Sequence, residues 1–79
     1  MKRVYYYVSP AAGGSWNVNV EGNDTVNFEN KDKAVAAAAG AARKHWEVNK
    51  VHSGVRVQLA NGQWQDERTY GDDPYPPSG

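Results

Sequence analysis

The chain has 79 residues, 39% of them hydrophobic, with nine basic and nine acidic side chains and no cysteine. A single domain of this size buries only about 60–65% of its unfolded surface, which leaves room for one sheet, one helix and little buried polar machinery. The missing cysteine excludes disulfides and thiolate chemistry, and the zero formal charge lacks the basic excess usual in nucleic-acid-binding domains.

Met1-Lys2-Arg3 leads directly into Val4-Tyr5-Tyr6-Tyr7-Val8, without the long apolar core and small-residue cleavage site of a secretory leader. The longest apolar run, Ala34 to Ala39, is far short of the roughly 20 residues that span a bilayer. The expected setting is the cytoplasm, with no membrane association.

Val4, Tyr6 and Val8 alternate with Tyr5 and Tyr7, a period-two strand that Pro10 is expected to end. Ala11 to Ser15, with Gly13-Gly14, reads as a flexible hairpin loop. Trp16, Val18 and Val20 alternate with Asn17 and Asn19 in a second strand, and after a turn at Glu21 to Asp24 a short third strand is expected over Thr25 to Phe28.

A helix follows, capped by Asn30, with Asp32 at its positive end and Asn49 as its stop. Its apolar stripe is expected to hold Val35, Ala38, Ala39, Ala42 and Trp46, with Lys33, Gly40, Lys44 and Glu47 in water. Alanine lets the helix approach a sheet closely, and Trp46 plugs one end.

Val55, Val57 and Leu59 alternate with Arg56 and Gln58 in a fourth strand, followed by Asn61-Gly62. A two-residue type I′ turn there would pair Leu59 with Trp64, Val57 with Asp66 and Arg56 with Glu67. That register puts Asp66 on the helix side near Arg68, and an Arg56–Glu67 ion pair on the solvent side. Residues 70–79, with Pro74, Pro76 and Pro77, are expected to form a polyproline-like tail strapped onto the same domain. The fold class read from this order is α+β: a single domain over residues 1–79, with one antiparallel sheet of four to five strands in the order ββ(β)αββ and one helix packed on one face.

Tyr6-x-Val8-x-Pro10, Trp16-x-Val18-x-x-Glu21-Gly22, the alanine-rich helix led by Lys31 and Lys33, and the ending Asn61-Gly62-x-Trp64-Gln65-x-Glu67-Arg68-Thr69-Tyr70-Gly71-x-Asp73-Pro74-Tyr75-Pro76-Pro77 occur in fixed order. In these features the chain resembles a small bacterial family catalogued as domain of unknown function 2188. The resemblance covers nearly the whole chain and implies a stand-alone domain of about this length. It implies no activity, so it assigns no functional residue.

Catalytic and metal-binding patterns are not found. His45 and Glu47 are two apart on a helix and point about 200° from each other, and His52 adds no ligand spacing, so both histidines are expected at the surface near a helix end. None of Ser9, Ser15, Thr25, Ser53 and Thr69 sits in a frame that activates a hydroxyl. Asp66-Glu67 point to opposite faces of a strand, and Asp72-Asp73 precede a proline in a turn. Gly13-Gly14 opens no phosphate-binding helix. No enzyme activity, cofactor or metal is expected.

If Val4, Tyr6 and Val8 face the helix, Tyr5 and Tyr7 lie on the other side of the sheet. The expected contact face there comprises Tyr5, Tyr7, Asn17, Asn19, Arg56, Gln58 and Gln65. The leading expectation is a non-enzymatic accessory or protein-interaction domain that binds a protein partner or a second copy of itself. The alternative is nucleic-acid binding, with bases stacked on the same rings. Tyr70, Pro74, Tyr75, Pro76 and Pro77 form a candidate tail contact, folded onto the domain or docked in a partner.

Overall fold

Five strands form, the first two on alternating β-branched and aromatic residues. They are β1 (Val4–Pro10), β2 (Trp16–Val20), β3 (Val26–Phe28), β4 (Ser53–Gln58) and β5 (Trp64–Tyr70). The computed structural model describes residues 3–20 and 24–71. The strands form one sheet in the order β3-β2-β1-β4-β5. The helix α1 (Lys31–Asn49) lies against one face.

The α+β class and element order match expectation, but the sheet is mixed rather than antiparallel. β1 and β4 run parallel at its centre, with Tyr6 beside Val55 and Val8 beside Val57. All other neighbours are antiparallel. Parity is the physical reason. Three meandering strands leave β3 running in the direction of β1, the helix carries the chain back, and β4 starts again in that direction. The short third strand therefore decides the sheet class.

α1 forms where its caps predict. The Asn30 side chain accepts a hydrogen bond from the Lys33 amide at 2.9 Å. The helix ends at the expected Asn49, and the chain reverses at the next residue, Lys50, whose φ of 56° is left-handed. Ala34, Ala38 and Ala42 are fully buried, with Val35, Ala39 and Ala41 packed beside them. Ala34 thus joins the buried stripe, four residues before Ala38, and Trp46 stays half-buried at the helix end. Facing these alanines are Tyr6, Val8, Val55 and Val57. Ser53, fully buried, donates its hydroxyl to the Ala42 carbonyl and pins β4 to the helix.

Gly40 is on the wet side of α1, and a methyl added there would meet nothing within 4 Å. Gly40→Ala is therefore expected to raise unfolding stability by about 1 kcal/mol, measured by urea titration, through helix propensity alone.

Between β1 and β2 the loop is closed by the Ala11 amide, which donates to the Ser15 carbonyl at 2.8 Å. Pro10 remains in β1, opposite Trp16. A glycine turn spans Ala12–Gly14, and the Ser15 hydroxyl donates to the Ala12 carbonyl at 2.7 Å. Gly13 and Gly14 hold φ values of 70° and 80°, a region that side chains disfavour.

The β4–β5 turn differs from expectation by one residue, with wide consequences. The Gly62 amide donates to the Leu59 carbonyl and the Leu59 amide to the Gln63 carbonyl. Gly62 has φ 87°, but Asn61 is not in the positive-φ region. This is a type I turn followed by a glycine bulge, a three-residue loop rather than a two-residue type I′ turn. Gln58 pairs with Trp64, Val57 with Gln65 and Arg56 with Asp66. A slip of one residue moves every side chain to the opposite face. A bulge then skips Glu67, so Val55 meets Arg68 and Ser53 meets Tyr70. Tyr70 returns to the helix side and packs on the core.

Candidate contact face

Strand alternation places Tyr6 beneath α1, 9% exposed, and turns Tyr5 and Tyr7 to the opposite side of the sheet. There the rings form a connected group. Tyr5 and Tyr7 lie with centroids 6.2 Å apart, and Trp64 meets Tyr7 edge-on at 5.1 Å. Offset and edge-to-face geometry is the favourable one for aromatic pairs. Trp64 remains 44% exposed.

Beside the rings, the Arg56 guanidinium carbon sits 3.7 Å from the Tyr5 ring centroid, a cation–π stack. Arg56 Nε donates to Asp66 Oδ1 at 2.8 Å. That hydrogen bond, above all, holds the Arg56 pKa higher than usual. The expected partner Glu67 is displaced because the three-residue loop brings Asp66 opposite Arg56. For the same reason Asp66 leaves the helix side and its expected neighbour Arg68.

Tyr5 can lie flat here because its neighbour in β4 is Gly54. A methyl on Gly54 would stand 3.1 Å from the Tyr5 ring and 2.9 Å from the Arg68 carbonyl oxygen. At its outer end, Gln58 braces the turn by donating to the Gly62 carbonyl at 3.1 Å.

Toward β3 the face becomes polar. Asn27 Nδ2 donates to Asn17 Oδ1 at 2.9 Å and to the Ser15 hydroxyl at 3.0 Å. Asn19 Nδ2 donates to the Thr25 hydroxyl at 2.9 Å. The face thus has an aromatic half over β1, β4 and β5 and an amide half over β2 and β3.

Six of the expected contact residues, Tyr5, Tyr7, Asn17, Asn19, Arg56 and Gln58, share this side. Gln65 does not: opposite Val57, it belongs to the helix side. Trp64 and Asp66 take part instead. Their role follows from the loop length, which an Asn-Gly pair alone leaves open between two and three residues.

Of the tail contact, Tyr70 is half-buried, and its carbonyl accepts from Arg3 Nη1 at 2.8 Å, the same nitrogen that donates to the Ser53 carbonyl at 2.7 Å. Pro74, Tyr75, Pro76 and Pro77 lie outside the described residues. His52, expected at the surface, is buried at 9% exposure with its ring 5.1 Å from that of Trp46. It directly precedes β4 at the foot of the helix, where the large indole covers it. His45 is half-buried, 6.2 Å from the Tyr6 ring. Among the described residues no group of three or more His, Asp or Glu side chains gathers to hold a metal ion. None of the described helices is long and apolar enough to cross a membrane.

Burial raises the Tyr6 phenol above its ordinary value near 10. The folded state therefore keeps its proton where the unfolded chain loses it. The stability this contributes is present below about pH 10 and is lost as pH rises through the raised value. Tyr6→Phe is expected to flatten the alkaline limb of a stability-against-pH curve without changing its neutral region.

These features define a class: a small mixed-sheet domain with one alanine-faced helix and an aromatic, amide-rich open face. The chain belongs to the DUF2188 family, described as an uncharacterized protein conserved in bacteria, whose model matches residues 6–70. The match spans β1 from Tyr6 through the end of β5. No curated protein and no solved structure matches the chain.

Proposed function

We propose that this chain is a non-catalytic, cytoplasmic protein-interaction module that grips a protein partner through the aromatic half of its open sheet face. The observation that carries the reading is Arg56 stacked on Tyr5 and held by Asp66, beside the exposed Trp64. Tryptophan, tyrosine and arginine dominate the energetics of protein interfaces. Here they are held in place before a partner arrives, which reduces the entropy lost on binding.

The same arrangement disfavours the nucleic-acid alternative. Arg56 already faces a carboxylate, which lowers its value as a phosphate contact, and its guanidinium occupies the Tyr5 face that a base would need.

The test is affinity capture from the native host with wild-type and Trp64→Ser proteins, alongside gel shifts with single-stranded and duplex probes in a salt series. A protein retained by wild type and lost from Trp64→Ser, with no probe shifted at low salt, is the expected result. Capture indifferent to Trp64, or a probe shift that persists as salt rises, would reject the reading.

A further inference from the structure

The two edges of the sheet are unlike each other. β5 carries Asp66, Glu67 and Arg68 in succession and a register break opposite Val55 and Arg56. Charges and bulges are among the devices that keep an edge from pairing with another chain. β3, the other edge among the described residues, has neither: it is Val26-Asn27-Phe28, with Val26 53% exposed. Behind it the sheet and helix diverge around a cleft of about 250 Å³, lined by Tyr6, Val18, Val26, Phe28, Ala37 and Ala41.

We infer that β3 is the docking edge for a second copy of this chain, the two β3 strands pairing antiparallel about Asn27 to join two five-stranded sheets into one. The strand reads the same from either end in physical terms: an apolar residue, an amide, an apolar residue. Antiparallel pairing about Asn27 sets Val26 against Phe28 of the second copy, twice, as a two-fold axis requires. Both residues lie on the helix side, so each copy's Val26 and Phe28 cover the mouth of the other's cleft. On the open side the row from Asn17 to Asn27 continues into the same row of the second copy.

Charge supports the same orientation. Exposed Asp24 stands just before β3. Lys31 stands just after it, 5.6 Å over the Trp16 ring, while neighbouring Lys33 is already paired with Glu29. Antiparallel pairing brings Asp24 of each copy toward Lys31 at the start of α1 in the other, an opposite-charge pair made twice across the two-fold axis. A parallel arrangement would set Asp24 beside Asp24. This association uses a different surface from the aromatic face and does not depend on that reading.

Sedimentation equilibrium up to about 1 mM, where a binding free energy near 4 kcal/mol gives half-saturation, tests it. A reversible dimer is expected for the wild type and a monomer throughout for Val26→Lys, with the helical and sheet circular dichroism retained. Asp24→Lys and Lys31→Glu should each weaken the dimer about tenfold, and the two together should restore it. If Val26→Lys fails to fold, the charge-swap pair decides. A wild-type monomer across the range, a dimer indifferent to these changes, or a dimer lost in Trp64→Ser instead would overturn the inference. The last result would assign self-association to the open face.

Discussion

Ala38→Leu is expected to destabilise the protein by about 3 kcal/mol and to do so mainly by holding the helix off the sheet. Ala38 is fully buried at the middle of the helix stripe, between Ala34 and Ala42, and all three face the Tyr6, Val8, Val55 and Val57 layer. Three added carbon atoms cannot find space where the helix backbone itself is the packing surface, and overpacking a dense core typically costs 1–3 kcal/mol. The same change at Ala36, on the exposed side, should stay within about 0.5 kcal/mol. Urea titration of both variants separates the close-approach account from simple helix propensity. Equal losses at the two positions would show that the alanine face is not a contact surface.

Gly54→Ala is the second large effect, at about 2–3 kcal/mol. Gly54 sits in β4 between Tyr5 of β1 and Thr69 of β5. A methyl there would lie 2.9 Å from the Arg68 carbonyl oxygen and 3.1 Å from the Tyr5 ring. The backbone oxygen has little freedom to move, while the ring can swing away only by leaving Arg56. The two costs are therefore coupled. In a Tyr5→Ala background, Gly54→Ala should cost measurably less, by about 1 kcal/mol, because the ring contact is already gone. Strict additivity of the two changes would contradict the stacked arrangement of Tyr5 over Gly54.

What the amino-acid order disclosed, and what it hid, follow from how far each signal reaches. Local signals were reliable. Asn30 caps the helix as its side chain predicts, and β1 alternates so that Tyr6 is buried while Tyr5 and Tyr7 are not. A local signal does not fix longer-range geometry. Asn61-Gly62 announces a turn, but a type I′ pair and a type I turn with a glycine bulge both use it, and they differ by one residue of register. That single residue moved Asp66 and Trp64 onto the open face and took Gln65 off it.

The parallel contact between β1 and β4 was hidden in a different way. It depends on whether β3 exists, and β3 is three residues long. No alternation pattern of that length is decisive, yet its presence reverses the direction in which β4 meets β1. The burial of His52 is not legible locally, because burial of a polar side chain depends on what covers it. Here the cover is Trp46, which comes from the preceding helix.

The most direct test of the whole account is a nuclear Overhauser spectrum of the isotopically labelled protein in solution. It should contain cross-peaks from the Tyr7 ring to the Trp64 ring and from Tyr6 to the helix, with none from Tyr5 or Tyr7 to the methyls of Ala34, Ala38 or Ala42. Cross-peaks from Tyr5 or Tyr7 to those methyls would reverse the faces of the sheet and contradict the account.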